Sequence, residues 1–192
     1  MTDLLAGLCY IRDALFDDKV LCQLDKIASY DDTTFIHCVS VAQFSVVLGI
    51  HVELSDADLC ILTKAALLHD VGKIFVLHDV LTKPDRLSLD EYSHMQTHVV
   101  LGADYLQKCG FDARIVRIVR EHHENYDGSG YPDAISGVST DILSQIIRIA
   151  DTYDAMHSER PYQMSISKQN IYEIFFADDG HCYNPDLIHQ LM

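Results

Sequence analysis

Two adjacent pairs, His69-Asp70 and His122-His123, together with Asp151, concentrate the residue types that could do chemistry in this chain. Imidazole and carboxylate are metal ligands, and clustered ions can act on phosphate esters. The chain holds 11 histidines, and a lone histidine on an amphipathic helix is ordinarily a partly exposed or hydrogen-bonded residue. Context sorts them better than number. His69 and Asp70 follow Ala65-Ala66-Leu67-Leu68, an apolar run where a charge is costly unless it is paired or bound to a cation. The competing reading is a helix end at which both side chains reach water. Asp151 closes the run Ile146-Ile147-Arg148-Ile149-Ala150, where an unpaired carboxylate is equally unwelcome. His122-His123 stands just before the turn-rich string Asp127-Gly128-Ser129-Gly130-Tyr131-Pro132.

Helices must position these groups. Leu4, Leu8, Ile11 and Leu15 recur at helical spacing and predict an N-terminal amphipathic helix. Asp32 and Thr33 are expected to cap a second helix that carries His37 near its start and stops at Gly49. Ser55-Asp56-Ala57-Asp58 is a capping-box variant that opens a third, with His69 and Asp70 at its C-terminal end. Periodicity weakens between Val71 and Pro84, which predicts an irregular connection. Ser88 with Glu91 opens a helix that should carry His94 and His98 and end at Gly110. A shorter helix leads to His122-His123, residues 127–132 must form a loop, 142–156 is helical in period, and Ser167 starts another amphipathic helix. No strand, internal repeat or low-complexity tract is evident. The expected fold is all-α, a single-domain helical bundle with the metal site in its core.

With 192 residues, 48% hydrophobic and 22% charged, the chain can bury one substantial core. Its formal net charge of −15 argues against wrapping a long nucleic acid, which needs a basic face. A small anionic ligand would need local cations. Six cysteines without a Cys-x-x-Cys pair predict reduced, mostly buried thiols and a cytoplasmic protein. No signal peptide is evident, and no uninterrupted apolar run reaches the roughly 20 residues that span a bilayer, so no membrane partner is expected.

The string His69-Asp70-Val71-Gly72-Lys73-Ile74, then His122-His123-Glu124, then residues 127–132, closely resembles the HD-GYP subgroup of the HD phosphohydrolase superfamily. The likeness continues through Lys83-Pro84, the Met95, His98 and Gly102 spacing, Ile149-Ala150-Asp151, Asp154-Ala155 and Arg160-Pro161-Tyr162. It covers residues 33–190, which divides the chain into an N-terminal helical extension, residues 1–30, and a phosphodiesterase domain, residues 31–192.

That resemblance implies two divalent metal ions, with His37, His69, Asp70 and Asp151 holding one and His98, His122 and His123 the other, Asp70 bridging both. Imidazole and carboxylate without thiolate suit iron or manganese and leave zinc or nickel open. Two such ions about 3.5–4 Å apart activate a bridging hydroxide and clamp an in-line displacement at phosphorus. Members with a third metal carry a glutamate one turn before the first histidine; Thr33 stands there, which favours two metals and a linear product. Lys73 is expected to act in catalysis by touching the scissile phosphate, and Arg160 to bind phosphate or a guanine edge through its planar fork. Many relatives have a basic residue where this chain has Gln163. Asp154 is placed to hydrogen-bond a ligand histidine, and His94, one turn before His98, to assist. The implied activity is hydrolysis of cyclic di-GMP to the linear dinucleotide pGpG in bacterial second-messenger signalling. The alternatives are another cyclic dinucleotide such as cyclic GMP-AMP, or a catalytically weak receptor. Partners implied by the resemblance are diguanylate cyclase (GGDEF) domains, met through the Gly130-Tyr131-Pro132 surface, and a fused regulatory domain.

Overall fold

A long stretch of the sequence without Asp, Glu, Lys or Arg forms a central helix that packs against four others. In the computed structural model, which describes residues 2–157, 166–178 and 180–191, with side chains from residue 7 onward, this helix is α3 (Asp32–His51). Before it come α1 (Thr2–Leu15) and α2 (Asp18–Tyr30). After it run α4 (Asp56–Leu68), a 3-10 turn (Val71–Phe75), α5 (His78–Leu81), α6 (Leu89–Gln96), α7 (His98–Lys108) and α8 (Ala113–Glu121). A second 3-10 turn (Gly137–Ser139), α9 (Ile142–His157), α10 (Lys168–Ala177) and α11 (Pro185–His189) complete the order, and the described residues contain no strand.

α3 packs against α4, α9, α1 and α2, and buries Cys38, Val41, Ala42, Val46 and Leu48. It is also the one described helix long and apolar enough to cross a membrane by length and composition, yet it carries His37 and half its apolar window is buried inside the bundle. A single core joins Leu24 and Ile27 of α2 to Leu62 and Leu67 of α4, Ile118 of α8, Ile146 and Ile147 of α9, and Phe175 of α10.

Several expected boundaries move, each for a local reason. The N-cap of α3 is Asp31, one residue before Asp32; its carboxylate accepts the Thr34 amide at 2.6 Å. Gly49 does not stop that helix. A Cβ there would lie 2.9 Å from the side chains of Leu59 and Leu62, so glycine serves close packing of α3 on α4, and the helix continues to His51. α2, not anticipated, follows the same physics as the others: Asp17 caps it, and Val20, Leu24 and Ile27 bury one face. The connection from Val71 to Pro84 is shaped by the first 3-10 turn and α5. The helix expected from Ser88 to Gly110 divides at Thr97, where the Thr97 hydroxyl donates to the His94 carbonyl at 2.6 Å and the His98 imidazole to the Met95 carbonyl at 2.7 Å. Side chains that compete for helix carbonyls in this way interrupt the backbone ladder. The capping signatures hold: Ser55 accepts from the Asp58 amide, Ser88 and Glu91 form the reciprocal capping box, and Ser167 caps α10. The cysteines are less buried than expected: only Cys38 is buried, while Cys9, Cys22 and Cys60 face outward from α1, α2 and α4.

The first 3-10 turn lies against α7 at one tight point. A Cβ on Gly72 would run into the His98 carbonyl and the Gly102 amide, so this glycine fixes the distance between Asp70 and His98. Gly72→Ala should therefore cost roughly 3 kcal/mol by overpacking against backbone, read as a Tm lower by several degrees in thermal denaturation. A Tm equal to that of the parent chain would show that the contact is not tight.

Candidate metal centre

Seven side chains distant in sequence meet between α3, α4, α7, α8 and α9. His37 comes from the second turn of α3; His69 is the C-cap of α4 and Asp70 follows it; His98 begins α7; His122 caps the C-terminus of α8, with His123 next; Asp151 lies in α9. His37, His69 and Asp70 place one ligand atom each within 4.8 Å of one another, and His98, His122 and His123 do the same. Asp151 joins the first group, its Oδ1 3.0 Å from His37 Nε2, and faces the second, its Oδ2 3.9 Å from His123 Nδ1.

Local helix chemistry decides which ring nitrogen faces inward. The last carbonyls of a helix lack intrahelical partners. The Nδ1 of His69 lies 2.8 Å from the Ala66 carbonyl, that of His98 2.7 Å from Met95, and that of His122 2.7 Å from Val119. A carbonyl only accepts, so each Nδ1 carries the proton and each Nε2 is left to the centre. His37 is held the same way by a carboxylate, its Nδ1 donating to Asp154 Oδ2 at 2.6 Å. Asp154 thus has the contact expected from its spacing to Asp151.

Asp70 sits between the two groups and faces both. Its Oδ2 lies 3.3 Å from His69 Nε2 and 3.6 Å from His37 Nε2, while its Oδ1 lies 3.3 Å from His98 Nε2. Both Asp70 Oδ1 and His69 Nε2 are buried without a hydrogen-bond partner. The Nε2 atoms of His98 and His122, both turned inward by their Nδ1 bonds, stand 3.4 Å apart. Buried lone pairs converging on lone pairs cost free energy unless a cation lies among them, so the donor set fits divalent ions in both groups.

The electrostatics of the metal-free chain follow. Burial alone would raise the Asp70 pKa, but the charge of Lys73, with Nζ 2.5 Å from Oδ2, and of His69 holds it well below the usual carboxylate range. Asp151 is likewise depressed, because the His37 hydrogen bond and the His123 charge outweigh burial. Burial pulls imidazole values down, yet Asp70 holds His69 well above the ordinary value, and Asp151 and Asp154 raise His37. For His98 burial prevails and the pKa falls to about 4; His122 and His123 are also pushed well down, by burial first and neighbouring imidazoles after.

The glycine-rich loop closes one side. A Cβ on Gly130 would strike the backbone of residues 123–125, and this close return lays the Tyr131 ring on His123, centroids 4.9 Å apart and planes at 23°. Two residues that the sequence reading gave no role hold the loop. Buried Glu124 accepts the amides of Asp133 at 2.6 Å and Ile135 at 3.2 Å. Arg148 donates to Asn125 Oδ1 at 3.1 Å and Thr152 Oγ1 at 2.8 Å, with its guanidinium 5.4 Å from the Tyr183 ring centre. The signal for Arg148 was a charge inside an apolar run. His94 is not brought to the centre as a free group: its Nε2 accepts the Leu77 amide at 3.2 Å. Arg160 and Gln163 lie outside the described residues.

The family described as HD domain matches residues 22–187. The chain is 33% identical over 155 residues to a 3'3'-cGAMP-specific phosphodiesterase of Vibrio cholerae, covering 77% of this chain and 33% of the relative. It is 35% identical over 143 residues to the cyclic di-GMP phosphodiesterase response regulator RpfG of Xanthomonas campestris, covering 72% and 37%. The chain thus spans about a third of the length of these curated relatives. Among solved structures, the Bdellovibrio bacteriovorus protein Bd1817, described as an HDG"Y"P protein, superposes with a TM-score of 0.68 at 24% identity, covering 81% of this chain and 50% of that one. The HD domain of Listeria monocytogenes PgpH in complex with cyclic-di-AMP gives 0.61 at 17%, covering 88% and 91%. At these identities the two structures establish a shared fold.

Two measurements test the centre. By plasma mass spectrometry after gel filtration, Asp70→Ala should lower the metal content more than His98→Ala does; an equal or smaller loss in Asp70→Ala would contradict its place between the two histidine groups. In the metal-free chain, His98, His122 and His123 take up protons on unfolding at pH values below about 6.5, whereas His37 and His69 are protonated in both states there. The unfolded state then binds more protons, so Tm should fall as pH drops from about 6.5 toward 4. His98→Gln should flatten that fall, and a Tm that rises over the window would contradict the assignment.

Proposed function

The chain belongs to the HD domain family, and we propose that it is a metal-dependent phosphodiesterase that opens cyclic di-GMP to the linear dinucleotide pGpG. The observation that carries this reading is Asp70, buried between two histidine groups with one oxygen toward each. His37, His69, Asp70 and Asp151 would hold one divalent ion and His98, His122 and His123 a second, iron or manganese by donor type. Such a pair supplies Lewis acidity and an activated water beside the phosphodiester.

The chain's own groups complete the task. Lys73, partly exposed and anchored on Asp70, meets a non-bridging phosphate oxygen as a compact positive charge. Arg160 offers a second cation through its planar fork. The hydrogen bonds at Nδ1 keep the imidazoles of His37, His69, His98 and His122 oriented, so the pocket needs little rearrangement when substrate binds. Tyr131, stacked on His123, walls the pocket from the loop side. Thr33, exposed one turn before His37, replaces the glutamate associated with a third metal, which supports two ions and a linear product. The setting consistent with this reading is a bacterial cytoplasm. The partners are GGDEF domains meeting the Gly130-Tyr131-Pro132 surface, or a regulatory domain on the same polypeptide. A second reading, cyclic GMP-AMP as substrate, is favoured by Gln163 in place of a basic residue and by the cGAMP-specific relative.

Metal-loaded protein incubated separately with cyclic di-GMP and cyclic GMP-AMP, followed by product chromatography, discriminates the two. The proposal expects pGpG from the first, loss of turnover in Asp70→Ala, and a fall of about 100-fold in kcat/KM for Lys73→Ala, the scale of removing one charge-stabilising donor. Cleavage of cyclic GMP-AMP alone would transfer the assignment to the second reading. Wild-type turnover in Asp70→Ala would remove both.

A further inference from the structure

The C-terminal half of α3, α9, α10 and residues 190–191 line a cavity of about 320 Å³ that none of the seven candidate ligands lines. Its walls are apolar and aromatic, including Phe44, Leu48, Ile149, Tyr153, Tyr172 and Phe175. Phe44 and Tyr153 meet edge to face, ring centroids 4.4 Å apart. Two basic side chains, His51 and Lys168, also line it, and none of the described lining residues is acidic, in a chain with 29 aspartates and glutamates. Lys168 is the first residue of α10 after the N-cap Ser167. It makes no ion pair among the described residues, whereas Lys64, Lys73 and Lys83 each hold a carboxylate.

We infer that this cavity binds a small amphipathic anion, an aliphatic or aromatic body that ends in one carboxylate. Its volume lies at the small end of the roughly 300–1,000 Å³ typical of ligand sites, which suits a compact body. That body displaces water from the aromatic walls, and the non-directional gain from burying apolar surface supplies the affinity. The sign of the head group is set at the rim. Elsewhere the surface carries an excess of negative charge that repels anions, but here Lys168 has no ion pair among the described residues, and it sits at the N-terminal, positive end of the α10 dipole. A cationic head group of the same size would meet Lys168 and, among the described lining residues, no carboxylate. The site is separate from the metal centre, and the inference does not rest on the phosphodiesterase reading.

Calorimetric titration of the full chain with octanoate and with octylammonium tests this. Octanoate should bind at one site while octylammonium gives no binding heat. Lys168→Glu, a change at an exposed position, should weaken octanoate at least about fivefold. Val47→Trp, which fills the cavity from its partly exposed wall, should abolish binding. Absence of octanoate binding, equal affinity for the two probes, or octanoate binding unchanged in either variant would overturn the inference.

Discussion

The architecture turns on one buried carboxylate. Asp70 is 1% exposed, and burying an ionised carboxylate is strongly unfavourable unless opposite charge and hydrogen bonds surround it. Lys73 and the imidazoles of His37 and His69 supply that surround on the Oδ2 side in the metal-free chain, and divalent ions would supply it more completely. Because its two oxygens look in opposite directions, the helices that carry the two histidine groups must both close on it. α4 delivers it, α3 and α9 approach from one side, and α7 and α8 from the other.

That closure relies on helix ends rather than helix faces. His69 and His122 are C-caps, and His98 starts a helix just where the preceding one stops. A terminal imidazole can satisfy an orphan carbonyl through Nδ1 and still present Nε2 to the pocket, so one side chain both finishes a helix and builds the site. His37, inside the first half of α3, has no free carbonyl within reach and takes Asp154 instead. Glycines then set the spacing: Gly72 and Gly102 let the turn after Asp70 touch α7, and Gly130 lets the loop fold Tyr131 onto His123.

Much of this is legible from residue types alone. Charged and imidazole groups inside apolar runs marked His69, Asp70 and Asp151, and the capping signatures of Ser55, Ser88 and Ser167 located three helix starts. What the sequence concealed is of two kinds. The break at Thr97 arises from side chains competing for carbonyls, which helical periodicity does not register. The roles of Glu124 and Arg148 arise from partners 9 and 23 residues away, a pairing that only the folded chain reveals. Gly49 shows a third case, in which a residue read as a helix stop is a packing contact.

The central claim is that Asp70 lies between two ions. The most direct measurement is anomalous X-ray diffraction from crystals of the chain loaded with manganese. The account predicts two peaks flanking the Asp70 carboxylate, one within the group of His37, His69 and Asp151 and the other within the group of His98, His122 and His123. A single peak, or peaks remote from Asp70, would contradict it.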